Sequence, residues 1–94
     1  MKNIFYTEHL KTRLKARNIP NHYPEEIFLH PETNFIDNIE GHIIAIKKLE
    51  YNGKVRDMMV AYDEANSEVS IITIHPISLE DINKRRRTGR WTKI

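Results

Sequence analysis

A chain of 94 residues, 39% of them apolar, suffices for one modest core, so a single domain over residues 1–94 is expected. It has no cysteine, which excludes disulfides, thiolate metal ligands and a cysteine nucleophile, and no apolar run of the ~18 residues that a membrane span needs. The net charge of +2 is uneven: residues 1–17 hold five bases against one acid, residues 84–94 hold six bases and no acid, and residues 18–83 hold four bases against twelve acids.

Clustered Lys and Arg are the electrostatic footprint of a polyanion partner, with RNA the leading expectation. Basic ends that merely complement an acidic middle, or that recruit an acidic protein, are the competing readings. The start, MKNIFYTEHLKTR, has no apolar block of signal-peptide type and carries Glu8 early, so an unprocessed cytoplasmic protein without a membrane partner is expected.

Residues 7–17 read as a helix. The Thr7 hydroxyl is suited to accept from a free first-turn N–H, and Leu10 and Leu14 follow the helical spacing. His9, Arg13 and Arg17 lie four apart and share a second face. Asn18 ends the helix and Ile19-Pro20 leads away, because a residue before proline avoids helical geometry. A second, short helix runs from Pro24 to Leu29, with proline in its first turn and Glu25 and Glu26 at its positive end.

The middle reads as antiparallel sheet. Phe35-Ile36-Asp37 is a short strand and His42 to Tyr51 a longer one. Asn52-Gly53 suits a two-residue hairpin turn, since both positions tolerate positive φ. Lys54 to Tyr62 is the return strand, Asp63 to Ser67 a polar turn, and Glu68 to Ile74 a strand dense in β-branched residues. His75-Pro76 stops it. Ser78 caps a short helix with Glu80 and Asp81 at its start and Lys84 and Arg85 near its end, an order that complements the helix dipole. Gly89 breaks that helix and Arg90-Trp91 follows. The pattern predicts an α+β fold with the N-terminal helices packed on one face of a twisted three- to four-stranded antiparallel sheet.

No phosphate-binding glycine loop, dinucleotide fingerprint or paired histidines at metal spacing occur, and the five histidines are scattered, so neither metal nor cofactor is expected. Three groupings carry candidate chemistry. His9 and Arg13 share a helix face, and they combine a group that exchanges protons near neutral pH with one that grips phosphate. Thr73 and His75 alternate at the end of the last long strand and so share a sheet face. KRRRTGRW, residues 84–91, joins Lys84, Arg85, Arg86, Arg87 and Arg90 to Trp91, a composition suited to phosphate contact and base stacking. In that segment Trp91 is equally a core anchor with Arg90 as the working residue.

The stretch YTEHLKTRLKARNIP, the strand end Thr73-Ile74-His75-Pro76 and the closing Gly89-Arg90-Trp91 together resemble the domain-of-unknown-function 4258 family. In that family a histidine begins a helix and arginines follow four and eight positions later. The group is similar to the small RelE/ParE-type toxins and, more broadly, to the compact metal-independent ribonuclease fold of barnase and certain colicin nuclease domains. The resemblance implies helices against a four-stranded twisted antiparallel sheet. It also implies a site made from the first helix, the late strands and the C-terminal segment, with His9, Arg13, Thr73, His75 and Arg90 as its catalytic candidates. One departure is Asn18-Ile19 where the family has Gly-Ile; asparagine accepts the left-handed helix stop nearly as well.

Three functions fit. The first is a metal-independent endoribonuclease, a toxin in one form, in which the RNA 2′-hydroxyl attacks its neighbouring phosphate. His9 or His75 would serve as base and the other as acid, while Arg13 and Arg90 would stabilise the transition state. The second is a non-catalytic nucleic-acid-binding module that adds Arg17, Lys84, Arg85, Arg86, Arg87 and Trp91 as contacts. The third is a toxin-like interaction domain whose partner is an antitoxin or another acidic protein.

Overall fold

The computed structural model describes residues 2–94. The elements are β1 (Asn3–Tyr6), α1 (Glu8–Ala16), α2 (Tyr23–Leu29), β2 (Thr33–Asp37), β3 (Ile43–Tyr51), β4 (Lys54–Ala65), β5 (Glu68–Pro76), α3 (Leu79–Arg87) and β6 (Trp91–Lys93). They build one six-stranded sheet in the order β1-β5-β4-β3-β2-β6. β1 runs parallel to β5, and every other neighbouring pair is antiparallel.

This overturns the expected three- to four-stranded antiparallel sheet, although the α+β character holds. Both additional strands are edges. In β1, Ile4 and Tyr6 alternate toward the core and pair with Val69 and Ile71. β6 is three residues long and lies against Phe35, Ile36 and Asp37. Segments this short show too little alternation to stand out, and their partners are remote in sequence. The long hairpins also outrun their expected limits. β4 continues through Asp63 to Ala65, and β5 continues through His75-Pro76. β1 ends its pairing at Ile71, so the outer edge of late β5 carries no strand and tolerates a proline.

The helices form where their caps are. The Thr7 hydroxyl accepts from the Leu10 N–H at 3.1 Å, and the Ser78 hydroxyl accepts from the Asp81 N–H at 3.1 Å. α1 ends with Asn18 at φ 54°, while the Ile19 N–H donates to the Leu14 carbonyl and the Asn18 N–H to the Lys15 carbonyl. These two bonds are the paired C-terminal closure that a left-handed stop residue permits. Asn52 and Gly53, at φ 54° and 78°, make the β3–β4 hairpin turn.

The two N-terminal helices share one face of the sheet, as expected, and α3 takes the other. Leu10, Leu14 and Ile27 of α1 and α2 pack with Met58, Val60, Ile71 and Ile74 on one side. Ile82 of α3 and Trp91 pack with Phe35, Ile44, Ile46 and Met59 on the other. A sheet with apolar residues on both faces needs cover on both.

One irregularity decides which side the end of β5 serves. Tyr62 pairs with Ile71 and Ala61 with Thr73, which leaves Ile72 as an extra, unpaired residue. Val69 and Ile71 face the α1–α2 side. Unbroken alternation would send Thr73 and His75 to that side as well. The bulge at Ile72 turns them to the opposite face, where α3 packs, and Ile74 takes the core position instead.

Candidate active site

α3 covers only part of its face, and the uncovered part is a cleft of about 290 Å³. Ile44, Met59 and Ala61 of β3 and β4, with Thr73 and His75 of β5, form its floor. His9 and Arg13 of α1 flank one side. Arg85, Arg90 and Trp91 flank another, and Asp37, Glu40 and His42 close the third. All five catalytic candidates from the sequence, His9, Arg13, Thr73, His75 and Arg90, therefore line one space. A larger depression, about 580 Å³, runs along α1 past Tyr6, Lys11 and Lys15 but contains no histidine.

His75 has its ring fixed by a hydrogen bond to its own chain. Its Nδ1 lies 2.9 Å from the Pro76 carbonyl oxygen. A carbonyl only accepts, so Nδ1 carries the proton and Nε2 is left with its lone pair. Burial is the largest influence on its pKa and pushes it below the ordinary histidine value; the Pro76 bond opposes this, and the charges of Arg85, Arg17 and Arg13 push it further down. The ring is thus held neutral with a basic nitrogen.

His9 is exposed, and Arg13 Nε donates to its Nε2 at 3.4 Å. That contact joins the two residues that the helical spacing had put on one face, and it occupies the nitrogen by which His9 would act as a base. Thr7 ties the start of α1 to this region. Its hydroxyl donates to the carbonyl of Ile72, the bulge residue, at 3.2 Å.

Arg90 is half-buried and engaged. Its Nε and Nη2 both donate to Asp37 Oδ2, at 3.3 and 3.2 Å, and Nη2 lies 3.9 Å from Glu40 Oε1. The Asp37 side chain is only 5% exposed. Burial opposes its charge, but the Glu40 N–H, the Arg90 guanidinium and the Ile39 N–H together outweigh that and hold the carboxyl below its ordinary pKa. Arg90 thus lines the cleft but gives part of its charge to Asp37.

The nucleic-acid contacts expected from the sequence divide. Arg85 reaches the cleft and lies over the Trp91 ring with Cζ 4.9 Å from its centroid. Trp91 is 3% exposed and stacks on Phe35 at 5.3 Å, so it anchors the wall and its faces are closed to a base. Its Nε1–H is the only buried side-chain nitrogen or oxygen without a partner among the described residues. Arg86 lies against Phe35 at 5.7 Å and lines a separate depression with Lys48 and Asp57. Lys84 and Arg87 are exposed on α3 outside the cleft. Arg17, also outside it, caps α1, where its carbonyl accepts from the Tyr51 hydroxyl at 2.7 Å.

Sequence reasoning missed the third side of the site. Asp37, Glu40 and His42 fall in DNIEGH, read only as a strand end and the start of the next strand. The usable signal was two acids and a histidine within six residues, around a glycine that takes φ 80°. Among the described residues no group of three or more His, Asp or Glu side chains is arranged to hold a metal ion. Likewise no helix there is long and apolar enough to cross a membrane. In comparisons with known proteins, no family model, no curated protein and no solved structure matches the chain.

Proposed function

We propose that the protein is a small metal-independent endoribonuclease that cleaves by attack of the 2′-hydroxyl on the adjacent phosphate. The observation that carries this is His75, a neutral histidine with a free Nε2, in a cleft flanked by Arg13 and Arg85. A proton acceptor and cations beside the phosphate are two of the requirements of this reaction. At about 290 Å³ the cleft sits at the small end of ligand sites, roughly 300–1,000 Å³, a size for one phosphodiester and parts of its flanking nucleotides.

In the reaction, His75 Nε2 takes the 2′-hydroxyl proton as the O2′–P bond forms. Arg13 and Arg85 offset the charge that grows on the phosphoryl oxygens, and the Thr73 hydroxyl donates to one of them. Arg90 acts first as the partner of Asp37, holding that wall. Arg17, Lys84, Arg86 and Arg87 attract and steer the strand over a wider surface. Unrestrained cleavage of this kind would make the protein a toxin to a cell that lacked a neutralising partner.

The test is incubation with RNA in EDTA. The intact protein should cut, and His75→Ala should be slower by ~10²–10⁴-fold, the usual worth of a positioned proton-transfer group. RNA that is retained in a salt-sensitive way but left whole, equally by both proteins, would assign a binding module instead. Salt-resistant capture of an acidic protein with no RNA affinity would assign an interaction domain.

A further inference from the structure

In-line displacement needs a second proton-transfer group, because the departing 5′-oxygen leaves as an alkoxide unless it is protonated. His9, the obvious partner from the sequence, is exposed and hydrogen-bonded through Nε2 to Arg13. Another histidine lines the same cleft. His42 is half-buried immediately before β3, with its side chain 23% exposed.

Both ring nitrogens of His42 face carboxylates. Nδ1 is 2.7 Å from Asp63 Oδ1, and Nε2 is 3.5 Å from Glu40 Oε2. An ionised carboxylate only accepts, so both contacts are satisfied together when each nitrogen carries a proton. The two partners differ in grip. Both carboxylates are more than half exposed, but Asp63 holds Nδ1 at close hydrogen-bond distance and orients the ring, whereas Glu40 sits at the edge of reach. An incoming oxygen can therefore replace Glu40 at Nε2 without disturbing Asp63. This is the reverse of His75, whose Nδ1 is committed to a carbonyl and whose Nε2 is a lone pair. Two histidines in one cleft thus present Nε2 in opposite hydrogen-bonding roles, an acceptor at His75 and a donor toward Glu40 at His42, and acid and base roles divide between like residues in this way.

We infer that His42, oriented by Asp63, is the general acid of the site and donates its Nε2 proton to the departing 5′-oxygen. This rests on the ribonuclease reading above. The step balances. His75 takes the proton of the 2′-hydroxyl, the O2′–P bond forms and the P–O5′ bond breaks, and His42 supplies one proton to O5′. The products are a 2′,3′-cyclic phosphate and a 5′-hydroxyl, with His75 now charged and His42 neutral until water exchanges the two protons. Asp63 touches no reacting atom and acts as a positioning residue.

A sulfur leaving group tests this role, because a thiolate departs without a proton. The substrates are a short RNA and the same RNA with sulfur in place of one bridging 5′-oxygen. His42→Ala should cut the ordinary RNA ~10²–10⁴-fold more slowly and the sulfur-bridged RNA at nearly the rate of the unaltered protein. His75→Ala should be slow on both. Asp63→Asn should show a smaller loss than His42→Ala, also relieved by sulfur, and His42→Gln, which keeps the side chain's bulk, should behave as the alanine variant. If the unaltered protein cuts ordinary RNA but His42→Ala cuts it equally fast, or sulfur fails to rescue both His42 variants while they melt like the parent, His42 is not the acid. If the unaltered protein leaves both RNAs whole, the ribonuclease reading fails, and this assignment with it.

Discussion

The properties of the site come from single hydrogen bonds that sort similar residues into different roles. His75 and His42 are chemically identical side chains. One faces a carbonyl and three arginine charges, and the other faces two carboxylates. The lowered pKa of His75 has two consequences. As a base it should remain neutral below the ordinary histidine value of about 6.5, so the acid limb of the kcat/KM profile should lie below that value. The linkage has a definite sign. A histidine whose folded pKa is depressed favours the folded state fully above the unfolded value, and that contribution is lost as pH falls toward and through the folded value. Stability should therefore fall on acidification from about pH 6.5, and His75→Asn should flatten the fall; urea melts across that window check it. Arg90 sorts differently again. Removing it leaves the buried Asp37 carboxylate with backbone donors alone, so Arg90→Ala should lose about 1.5–3 kcal/mol, the range for hydrogen bonds to charged groups. Arg90→Lys should recover little, because a lysine lacks the second donor in fixed geometry. Equal urea midpoints for parent and Arg90→Ala would show that the pair is idle.

Among the elements, the β5 bulge and the cap of α1 act together. The Thr7 hydroxyl accepts from Leu10 and donates to Ile72, so one side chain fixes both the start of the helix that carries His9 and Arg13 and the bulge that aims Thr73 and His75. Thr7→Ala should lower stability by about 0.5–2 kcal/mol, as lost helix caps do. It should also reduce cleavage at temperatures where the variant is fully folded. Thr7→Ser should restore both, and unchanged cleavage by folded Thr7→Ala would remove the link. The elements that sequence could reveal are those whose cause is local. Thr7 and Ser78 cap helices, Asn18 stops one, and Asn52-Gly53 turns a hairpin, each by its own backbone or hydroxyl chemistry. The missed features are non-local. β1 exists because residues 68–71 offer an edge to it, and β6 because β2 does. The bulge is one unpaired residue within a run of β-branched side chains, invisible until β4 sets the register. Alternation did place Thr73 and His75 on a common face, but it could not say which face.

Across the whole molecule, the uneven charge has a spatial meaning. The basic first helix and the basic C-terminal segment reach the same cleft through Arg13 and Arg85. The acidic middle is not merely the scaffold between them, because Asp37 and Glu40 form the third side and engage Arg90. The cleft is therefore mixed in charge, a character suited to proton transfer at one phosphate; a uniform basic groove would track a long strand. The proposed reaction makes a 2′-hydroxyl the nucleophile. Its most direct test is a DNA strand that contains a single ribonucleotide, offered beside the all-DNA strand in EDTA. One cut is expected, on the 3′ side of the ribonucleotide, leaving a 2′,3′-cyclic phosphate and a 5′-hydroxyl, with the all-DNA strand intact. Both strands intact at high protein concentration, or both cut alike, would contradict it.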